Sequence, residues 1–429
     1  MSFKHDSIKE TFLHFVWQQK KFNFQHLKTT QGLQIRLLQV GQYNTDAGPD
    51  FFNAQIEIDG QKWAGNVEMH LRASDWYKHH HETDKAYDNV ILHVVWEQDA
   101  EVFYADEKPI PTLVLAPYVS RELLDKYTEL MQLKPSGILC EKDFAQVDNF
   151  VKQHGFENLY LERLEQKTTY IHQLLLQNQN DWEATLFHML ARYFGLKVNA
   201  AAFESMAQQT DFGIVRKLSE NQEALEALFM GQNHLLDKDI VDPYLQKLRE
   251  SYAYTQHKFQ LDHQNIQRAQ FFRLRPPNFP NIRLSQLAGL YAKHAAVFHQ
   301  LLEAQSLNDF YSIFNVTAAA YWDNHYTFGT LSKPSKKKLS KSFIDIQLIN
   351  VVFPMRFAYA TAQGKNPFEQ ILAWMQEMAP EKNRYTKLFD DIEHVNKNAL
   401  ISQALLQLSQ NYCFKNRCLS CEIGNFLLK

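Results

Sequence analysis

The sequence predicts an α+β protein with an N-terminal sheet domain, residues 1–145, followed by a mostly helical domain, residues 146–429. Three observations support this prediction. Two runs of alternating apolar and polar residues flank an Asp59-Gly60 turn, which is typical of a β-hairpin. A continuous, largely β-branched apolar run at positions 90–97 indicates a buried strand. After about residue 145, apolar residues recur at helical spacing.

The elements of the N-terminal domain are predicted in the order αβββαβ, with one further strand. Residues 7–22 have helical periodicity, residues 33–44 alternate as a strand does, and the hairpin lies within residues 48–71. Residues 73–89 are expected to form a short helix or loop before the buried strand. The last strand is expected within residues 112–119.

Composition and charge restrict the class of protein. The net charge is −3, so any surface that binds a polyanion must be a local patch. No run approaches the roughly 18 apolar residues that a membrane-spanning helix needs. The N-terminus is charged and lacks the apolar segment of a secretory signal. We therefore expect a folded cytoplasmic protein with no membrane partner.

The hairpin places three polar side chains near one end of the sheet. Because side chains alternate along a strand, Glu68 and His70 share a face and lie about 7 Å apart. Asp50 begins the partner strand and can fold back beside Glu68. Paired carboxylates suit a hard cation such as Mg²⁺ or Mn²⁺. The sequence thus predicts a metal site at Asp50 and Glu68, with Asp46 and Asn66 as secondary candidates.

Pro49-Asp50 and Glu68-Met69-His70, in this element order, resemble the PD-(D/E)XK nuclease superfamily over about residues 7–120. The resemblance implies a restriction-endonuclease-like fold, Mg²⁺ bound by Asp50 and Glu68, and hydrolysis of phosphodiester bonds in DNA or RNA. His70 stands where the superfamily usually has Lys, and a histidine can orient or deprotonate water near neutral pH. The alternative is a non-catalytic nucleic-acid-binding or scaffold protein that retains the fold.

A second resemblance covers most of the chain, including the C-terminal cysteines. The string "NTDAGPDFFNAQIEIDGQKWAGNVEMH", followed by "SDWYKHHHETDKAYDNVILHVV", is similar to an uncharacterised bacterial family, the domain of unknown function 2851. This resemblance implies no established activity.

Five of the 18 histidines lie between positions 70 and 93. His79 and His81, with Asp84 or Asp46, could supply the nitrogen and carboxylate ligands of a hydrolytic Zn²⁺ site. A zinc hydrolase is therefore a third hypothesis. His93 lies on the buried strand and is expected to be a hydrogen-bonded core histidine.

The four cysteines have a metal-binding pattern. Three form a Cys413-x4-Cys418-x2-Cys421 cluster, and Cys140 is the only other thiol. A four-thiolate set would accept either Zn²⁺ or an iron–sulfur cluster. The arrangement is similar to AddB-type helicase-nucleases and some CRISPR-associated nucleases, in which a four-cysteine 4Fe–4S cluster staples a PD-(D/E)XK core. That resemblance implies a cluster or zinc staple here, although all four cysteines follow the predicted core.

A basic stretch in the helical domain suggests a surface for nucleic acid. Arg273, Arg275 and Arg283 are interleaved with phenylalanines, and Lys337 lies in the lysine run at 331–343. Arginine pairs with phosphate in a bidentate manner, and aromatic rings stack on bases. These four residues are the predicted substrate-binding set. Alternatively, the stretch is a proline-rich linker whose aromatic residues pack into the core.

Overall fold

The computed structural model describes residues 8–132 and 137–429. The chain forms two compact units. The first comprises Met1–Phe156, Lys382–Val395 and Leu405–Lys429, and the second comprises Glu157–Glu381 and Asn396–Ala404. This division differs from the predicted single boundary at residue 145. The C-terminal segment with its three cysteines belongs to the unit that contains the sheet, because the chain returns to that unit after the helical region.

The first unit is built on a seven-stranded mixed sheet. Its strands are β1 (Leu27–Lys28), β2 (Gln34–Gln39), β3 (Gln42–Tyr43), β4 (Phe51–Ile58), β5 (Gln61–Arg72), β6 (Val90–Glu97) and β7 (Thr112–Val114). The strand order is β1-β2-β4-β5-β6-β7, with β3 paired to β4. The β2–β4 and β4–β5 pairs are antiparallel, whereas β5–β6 and β6–β7 are parallel. The sheet is therefore mixed, and its central strands are β4, β5 and β6.

The β4–β5 hairpin forms as the sequence predicts. Asp59 and Gly60 both have positive φ, 50° and 84°, which is the backbone of the two-residue turn that suits a twisted hairpin. The ladder runs from the Ile58–Gln61 pair to the Phe51–Val67 pair, with an irregularity between Phe51 and Ala54. This bulge lies next to the start of β4 and bends the strand there.

Strand β6 is the buried strand predicted at positions 90–97. Seven of its eight residues are buried. It pairs in parallel on both sides, with β5 and with β7. A strand covered on both faces reads as a continuous apolar run, which explains why the sequence identifies it.

The helices of the first unit are α1 (Glu10–Gln18), α2 (Asp75–Lys78), α3 (Arg121–Leu130), α16 (Arg384–Asp390) and α18 (Glu422–Leu427). Helix α1 is shorter than the predicted 7–22 helix, and residue 7 lies outside the described residues. It contacts β5. Its Phe12 stacks on Tyr127 of α3, with ring centroids 4.2 Å apart. Packing against the sheet and α3 thus fixes the position of α1.

Helices dominate the second unit. They are α5 (Trp182–Phe194), α6 (Leu196–Gln209), α7 (Phe212–Leu218), α8 (Gln222–Gln232), α9 (Pro243–Phe259), α10 (Pro280–Lys293), α11 (Val297–Glu303), α12 (Leu307–Ile313), α13 (Lys341–Gln347), α14 (Phe353–Ala362) and α15 (Phe368–Glu377). A small hairpin, β8 (His325–Thr327) with β9 (Thr330–Leu331), accompanies them. Helices α4 (Asn149–Gln177) and α17 (Ala399–Gln407) cross the boundaries between the units. The protein therefore has the predicted α+β class.

One helical stretch among the described residues, Lys341–Ala362, is long and apolar enough to cross a membrane by length and composition. In the structure 67% of its apolar window is buried inside the protein. Such burial is typical of the core helix of a soluble protein.

Candidate metal-binding site

The two predicted acids, Asp50 and Glu68, lie side by side at the mouth of the β4–β5 hairpin. The Asp50 backbone N–H donates to Glu68 Oε2 over 3.1 Å. In return, the Met69 backbone N–H donates to Asp50 Oδ2 over 2.9 Å. Both bonds extend the ladder beyond the Phe51–Val67 pair. The structure therefore brings the two side chains together near the start of β4, where β4 pairs with the central strand β5.

Helix α1 adds a third acid that the sequence analysis missed. The pKa of Glu68 is raised to about 9, first by burial and then by the charge of Asp50. The pKa of Glu10 is raised to about 7 for the same two reasons. These shifts arise because Glu10 and Glu68 are poorly solvated and lie near the charge of Asp50, which disfavours their ionisation.

His14, one turn after Glu10 on α1, is a further residue that the sequence analysis missed. Its Nε2 lies 3.2 Å from Asp50 Oδ2, and its Nδ1 lies 3.3 Å from the Tyr43 hydroxyl. Burial lowers the pKa of His14, but the hydrogen bond and charge of Asp50 outweigh burial and leave the pKa raised. Glu10 and His14 have i, i+4 spacing, so both project from one side of the helix.

His70 is the centre of a chain of imidazoles. Its Nδ1 lies 2.9 Å from His93 Nε2, and its Nε2 lies 3.1 Å from His79 Nδ1. The same Nε2 is 3.5 Å from Glu68 Oε1. Burial, and secondarily the neighbouring His93, lower the pKa of His70 to about 2, so the ring is neutral. His93 is fully buried and hydrogen-bonded, as the sequence analysis expected.

His81 completes this group. Its Nε2 lies 3.3 Å from Glu68 Oε1, and its ring stacks on Tyr87 with centroids 3.7 Å apart. One ligand nitrogen from each of His70, His79 and His81 can be chosen so that all three lie within 4.8 Å of one another. The histidine tract and the second strand of the hairpin therefore meet at Glu68.

The secondary candidates have other roles. The Asp84 carboxylate accepts a hydrogen bond from the Ala86 backbone N–H and caps a short 3₁₀ turn. Asp46 is exposed. Asn66 Oδ1 accepts from the Asn53 backbone N–H at the β4 bulge, over 3.4 Å. Glu68 therefore provides a carboxylate oxygen 3.3 Å from His81 Nε2, while the charge of Asp84 opposes the burial that lowers the pKa of His81.

The four cysteines also come together in the first unit. Cys140, Cys413, Cys418 and Cys421 line one apolar pocket, and none forms a disulfide. Burial, and secondarily the neighbouring Cys421 and Cys418 thiols, raise the pKa of Cys140 to about 12. Burial and the other three thiols likewise raise the pKa of Cys413. Within the described part of the chain, the histidine trio meets the 4.8 Å spacing, whereas no three of the cysteine sulfurs do.

The cysteine segment packs against the helix that carries Glu10 and His14. The turn Cys418–Ser420 contacts α1. Beyond it, the Leu428 carbonyl accepts a hydrogen bond from Lys21 Nζ over 3.2 Å. The C-terminal segment thus supports one wall of the carboxylate site.

Two of the four predicted nucleic-acid contacts are buried. Arg283 donates to Gln286 Oε1 and Asn278 Oδ1 within the second unit. Lys337 donates to the Asp323 and Ser335 carbonyls, and both Arg283 and Lys337 are 6% exposed. Neither can reach a phosphate, because each is held inside the protein by its own hydrogen bonds. This corrects their prediction as surface residues.

The other two predicted contacts are exposed. Arg273 and Arg275 lie on the surface of the second unit, next to Phe272, whose side chain is 70% exposed. The Arg273 guanidinium lies over the Phe272 ring, 5.0 Å from its centroid. Exposure keeps both arginines available to a phosphate.

The chain belongs to the family described as Protein of unknown function (DUF2851), whose sequence model matches residues 10–384. The match includes the hairpin, the histidine tract and Cys140, and it ends before Cys413. No curated protein and no solved structure matches the chain.

Proposed function

We propose that this protein is a divalent-cation-dependent phosphodiester hydrolase of the PD-(D/E)XK kind, with Asp50 and Glu68 as the ligands of Mg²⁺ or Mn²⁺. The observation that carries this proposal is the meeting of Asp50, Glu68 and His70 at the mouth of one hairpin. Had the two acids faced opposite sides of the sheet, they could not share an ion.

The strand topology supports the same proposal. Helix α1 precedes β2, β4 and β5, which form an antiparallel meander, and α2 then leads to β6, which is parallel to β5. This order is compatible with the αβββαβ core that the resemblance implies, with the four-residue helix α2 in the place of the second helix. The paired acids lie on β5 and just before β4, the positions at which the superfamily resemblance places its metal ligands.

The donor set fits a hard cation. Carboxylate oxygens are the ligands that Mg²⁺ and Mn²⁺ prefer, and Glu10 provides one more near Asp50. A cation bound here would stabilise negative charge on a phosphate and lower the pKa of a bound water. The neutral His70 beside Glu68 would orient that water.

The proposed substrate is DNA or RNA. The exposed Arg273 and Arg275 remain candidates to contact its phosphates, with Phe272 available to stack on a base. With a net charge of −3, binding depends on such local residues, and affinity should fall steeply as salt increases.

The test is cleavage of single- and double-stranded DNA and RNA by the full-length protein with Mg²⁺ or Mn²⁺. Asp50→Asn and Glu68→Gln should each reduce cleavage at least about 100-fold, because a bound cation contributes several kcal/mol to the transition state. Asp46→Asn is the matched control, since it removes one exposed carboxylate from the same loop.

Two results would contradict the proposal. Equal cleavage by Asp50→Asn and Asp46→Asn would remove Asp50 from the reaction. If the wild-type protein cleaves none of the four substrates with either ion, a non-catalytic nucleic-acid-binding or scaffold protein becomes the better explanation. Salt-sensitive binding without cleavage would then favour the nucleic-acid-binding form of that alternative.

We propose further that the four cysteines hold an iron–sulfur cluster rather than a single Zn²⁺. Zn–S bonds of about 2.3 Å place tetrahedral sulfurs about 4 Å apart. The sulfurs here line one pocket but do not meet a 4.8 Å spacing. In an iron–sulfur cluster the thiolates bind different iron atoms and so stand further apart.

The staple is tested by anaerobic purification followed by iron, sulfide and zinc analysis. Iron and acid-labile sulfide in a brown protein would support a cluster, whereas stoichiometric zinc in a colourless protein would contradict it. Cys418→Ser should lower the thermal midpoint, since metal-binding and folding free energies are coupled. Ser420→Ala, an exposed neighbour, should leave the midpoint unchanged. Equal midpoints for the two variants would argue against any staple.

A further inference from the structure

The histidine side of the site has donors that a Mg²⁺ ion does not need. His70 Nε2 and His81 Nε2 lie 3.5 Å and 3.3 Å from the same atom, Glu68 Oε1. His79 Nδ1 lies 3.1 Å from His70 Nε2. Three imidazole nitrogens therefore lie within 4.8 Å of one another, and Glu68 Oε1 lies beside two of these rings.

Two features of this group are unusual for imidazoles that only fill a core. His81 is 8% exposed, and neither of its ring nitrogens forms a hydrogen bond with a described residue, although Nε2 lies 3.3 Å from Glu68 Oε1. A buried polar atom without a partner is costly, so it calls for an explanation such as an ion. In addition, His93 contacts Nδ1 of His70, which leaves His70 Nε2 to face His79 and Glu68. A partner on the far nitrogen is the arrangement that orients a metal-ligating histidine.

We infer that His70, His79 and His81, together with Glu68, form a binding site for a divalent transition-metal ion of the Zn²⁺ class. Imidazole suits zinc and its neighbours in the first transition series, whereas Mg²⁺ prefers oxygen. Three nitrogens and one carboxylate oxygen complete the four ligands that zinc usually takes. His93 is a positioning residue in this arrangement, since it acts on the ion only through His70.

This inference deepens the proposed function by changing the role of His70, but it does not need a substrate. In the proposed hydrolase His70 faces water, whereas here its Nε2 is a metal ligand. Glu68 would then bind the hard cation beside Asp50 on one side and the transition-metal ion on the other. His79 and His81 distinguish the two roles, because only the metal site requires them.

The experiment measures Zn²⁺ affinity of the full-length protein by competition with a fluorescent chelator, without nucleic acid. His79→Ala and His81→Asn should each raise the dissociation constant of one site at least about 10-fold. His80→Asn is the control. His80 is exposed and has a φ of 60°, a conformation that Asn tolerates, so this variant removes a neighbouring imidazole with little strain.

Co²⁺ separates this site from the cysteine pocket. Cobalt bound by thiolates has a sulfur-to-cobalt charge-transfer band that nitrogen and oxygen ligands do not produce. We expect Co²⁺ at the histidine site to give a spectrum without that band. This spectrum should be lost in His79→Ala and kept in His80→Asn. Equal Zn²⁺ affinities and equal Co²⁺ spectra in the histidine variants and the control would overturn the inference. The proposed Mg²⁺-dependent hydrolase would be unaffected by that result. Conversely, metal binding at the histidines without any nucleic-acid cleavage would contradict only the proposed hydrolase.

Discussion

Each unit buries a glutamate, and the two side chains differ in what surrounds them. In the second unit, Glu226 on α8 is fully buried, and each of its oxygens accepts a hydrogen bond. Trp322 Nε1 donates to Oε1 over 2.5 Å, and Ser285 Oγ donates to Oε2 over 2.9 Å. In the first unit, Glu68 accepts one backbone hydrogen bond from Asp50 and otherwise faces imidazoles.

The difference separates a structural acid from a candidate ligand. Neutral donors from its own unit satisfy Glu226, so it needs nothing from outside the protein. Glu68 instead has a second carboxylate beside it, and that charge raises the pKa of Glu68 further. A cation would reverse that repulsion, whereas it would find no free oxygen at Glu226. Burial of an acid alone therefore does not identify a site, but burial beside another acid is informative.

The largest expected effect follows from removing each acid in metal-depleted buffer. Glu226→Ala should reduce the free energy of unfolding by about 3 kcal/mol, because the Trp322 and Ser285 donors lose their buried acceptor. Glu68→Gln should change it by no more than about 1 kcal/mol, because Gln resembles the protonated acid that burial already favours. Urea denaturation measures both values, and Glu220→Ala, an exposed acid near α8, is the control.

When Mg²⁺ or Mn²⁺ is added, Glu68→Gln should differ more from the wild-type protein than Glu226→Ala does in the stabilisation that the ion produces. The ion should stabilise the wild-type protein and Glu226→Ala by equal amounts, since both keep the carboxylate pair. It should stabilise Glu68→Gln much less. An equal increment in all three proteins would mean that Glu68 is not a ligand, and the comparison between the two glutamates would then fail.

The sequence predicts one half of the candidate site because that half is local. Asp50, Glu68 and His70 follow from a turn at Asp59-Gly60 and from the alternation of side chains along a strand. Glu10 and the other α1 residue, His14, could not be found in the same way. Their positions depend on how α1 packs against β5, which is a tertiary contact. The available indication was their i, i+4 spacing on an otherwise apolar helix.

The fold follows the same rule. Strand β6 is recognisable because burial on both faces makes most of its residues apolar. The division of the chain is not recognisable, because it depends on residues 405–429 returning to the first unit. Arg283 and Lys337 show the complementary error. A sequence gives the charge of a side chain, but whether the side chain is buried depends on how the surrounding elements pack around it.

The smallest expected effect is a difference between the wild-type protein and Glu226→Gln in how the free energy of unfolding depends on pH. Burial raises the pKa of Glu226 from 4.5 to about 7, against the opposing effect of hydrogen bonds from Trp322, Ser285 and Tyr244. Since the folded-state pKa is the higher one, the folded protein binds the proton more tightly. The resulting stabilisation is complete below pH 4.5 and is lost as the pH rises through 7.

Glu226→Gln cannot titrate and should lack this loss. Between about pH 5 and pH 8, the stability of the wild-type protein should fall relative to Glu226→Gln by on the order of 1 to 3 kcal/mol. Because Glu10 and Glu68 are present in both proteins, their titration cancels in the difference. A stability difference that stays constant over this range would show that Glu226 keeps one charge state throughout. The pH-dependent part of the contrast between Glu226 and Glu68 would then fail.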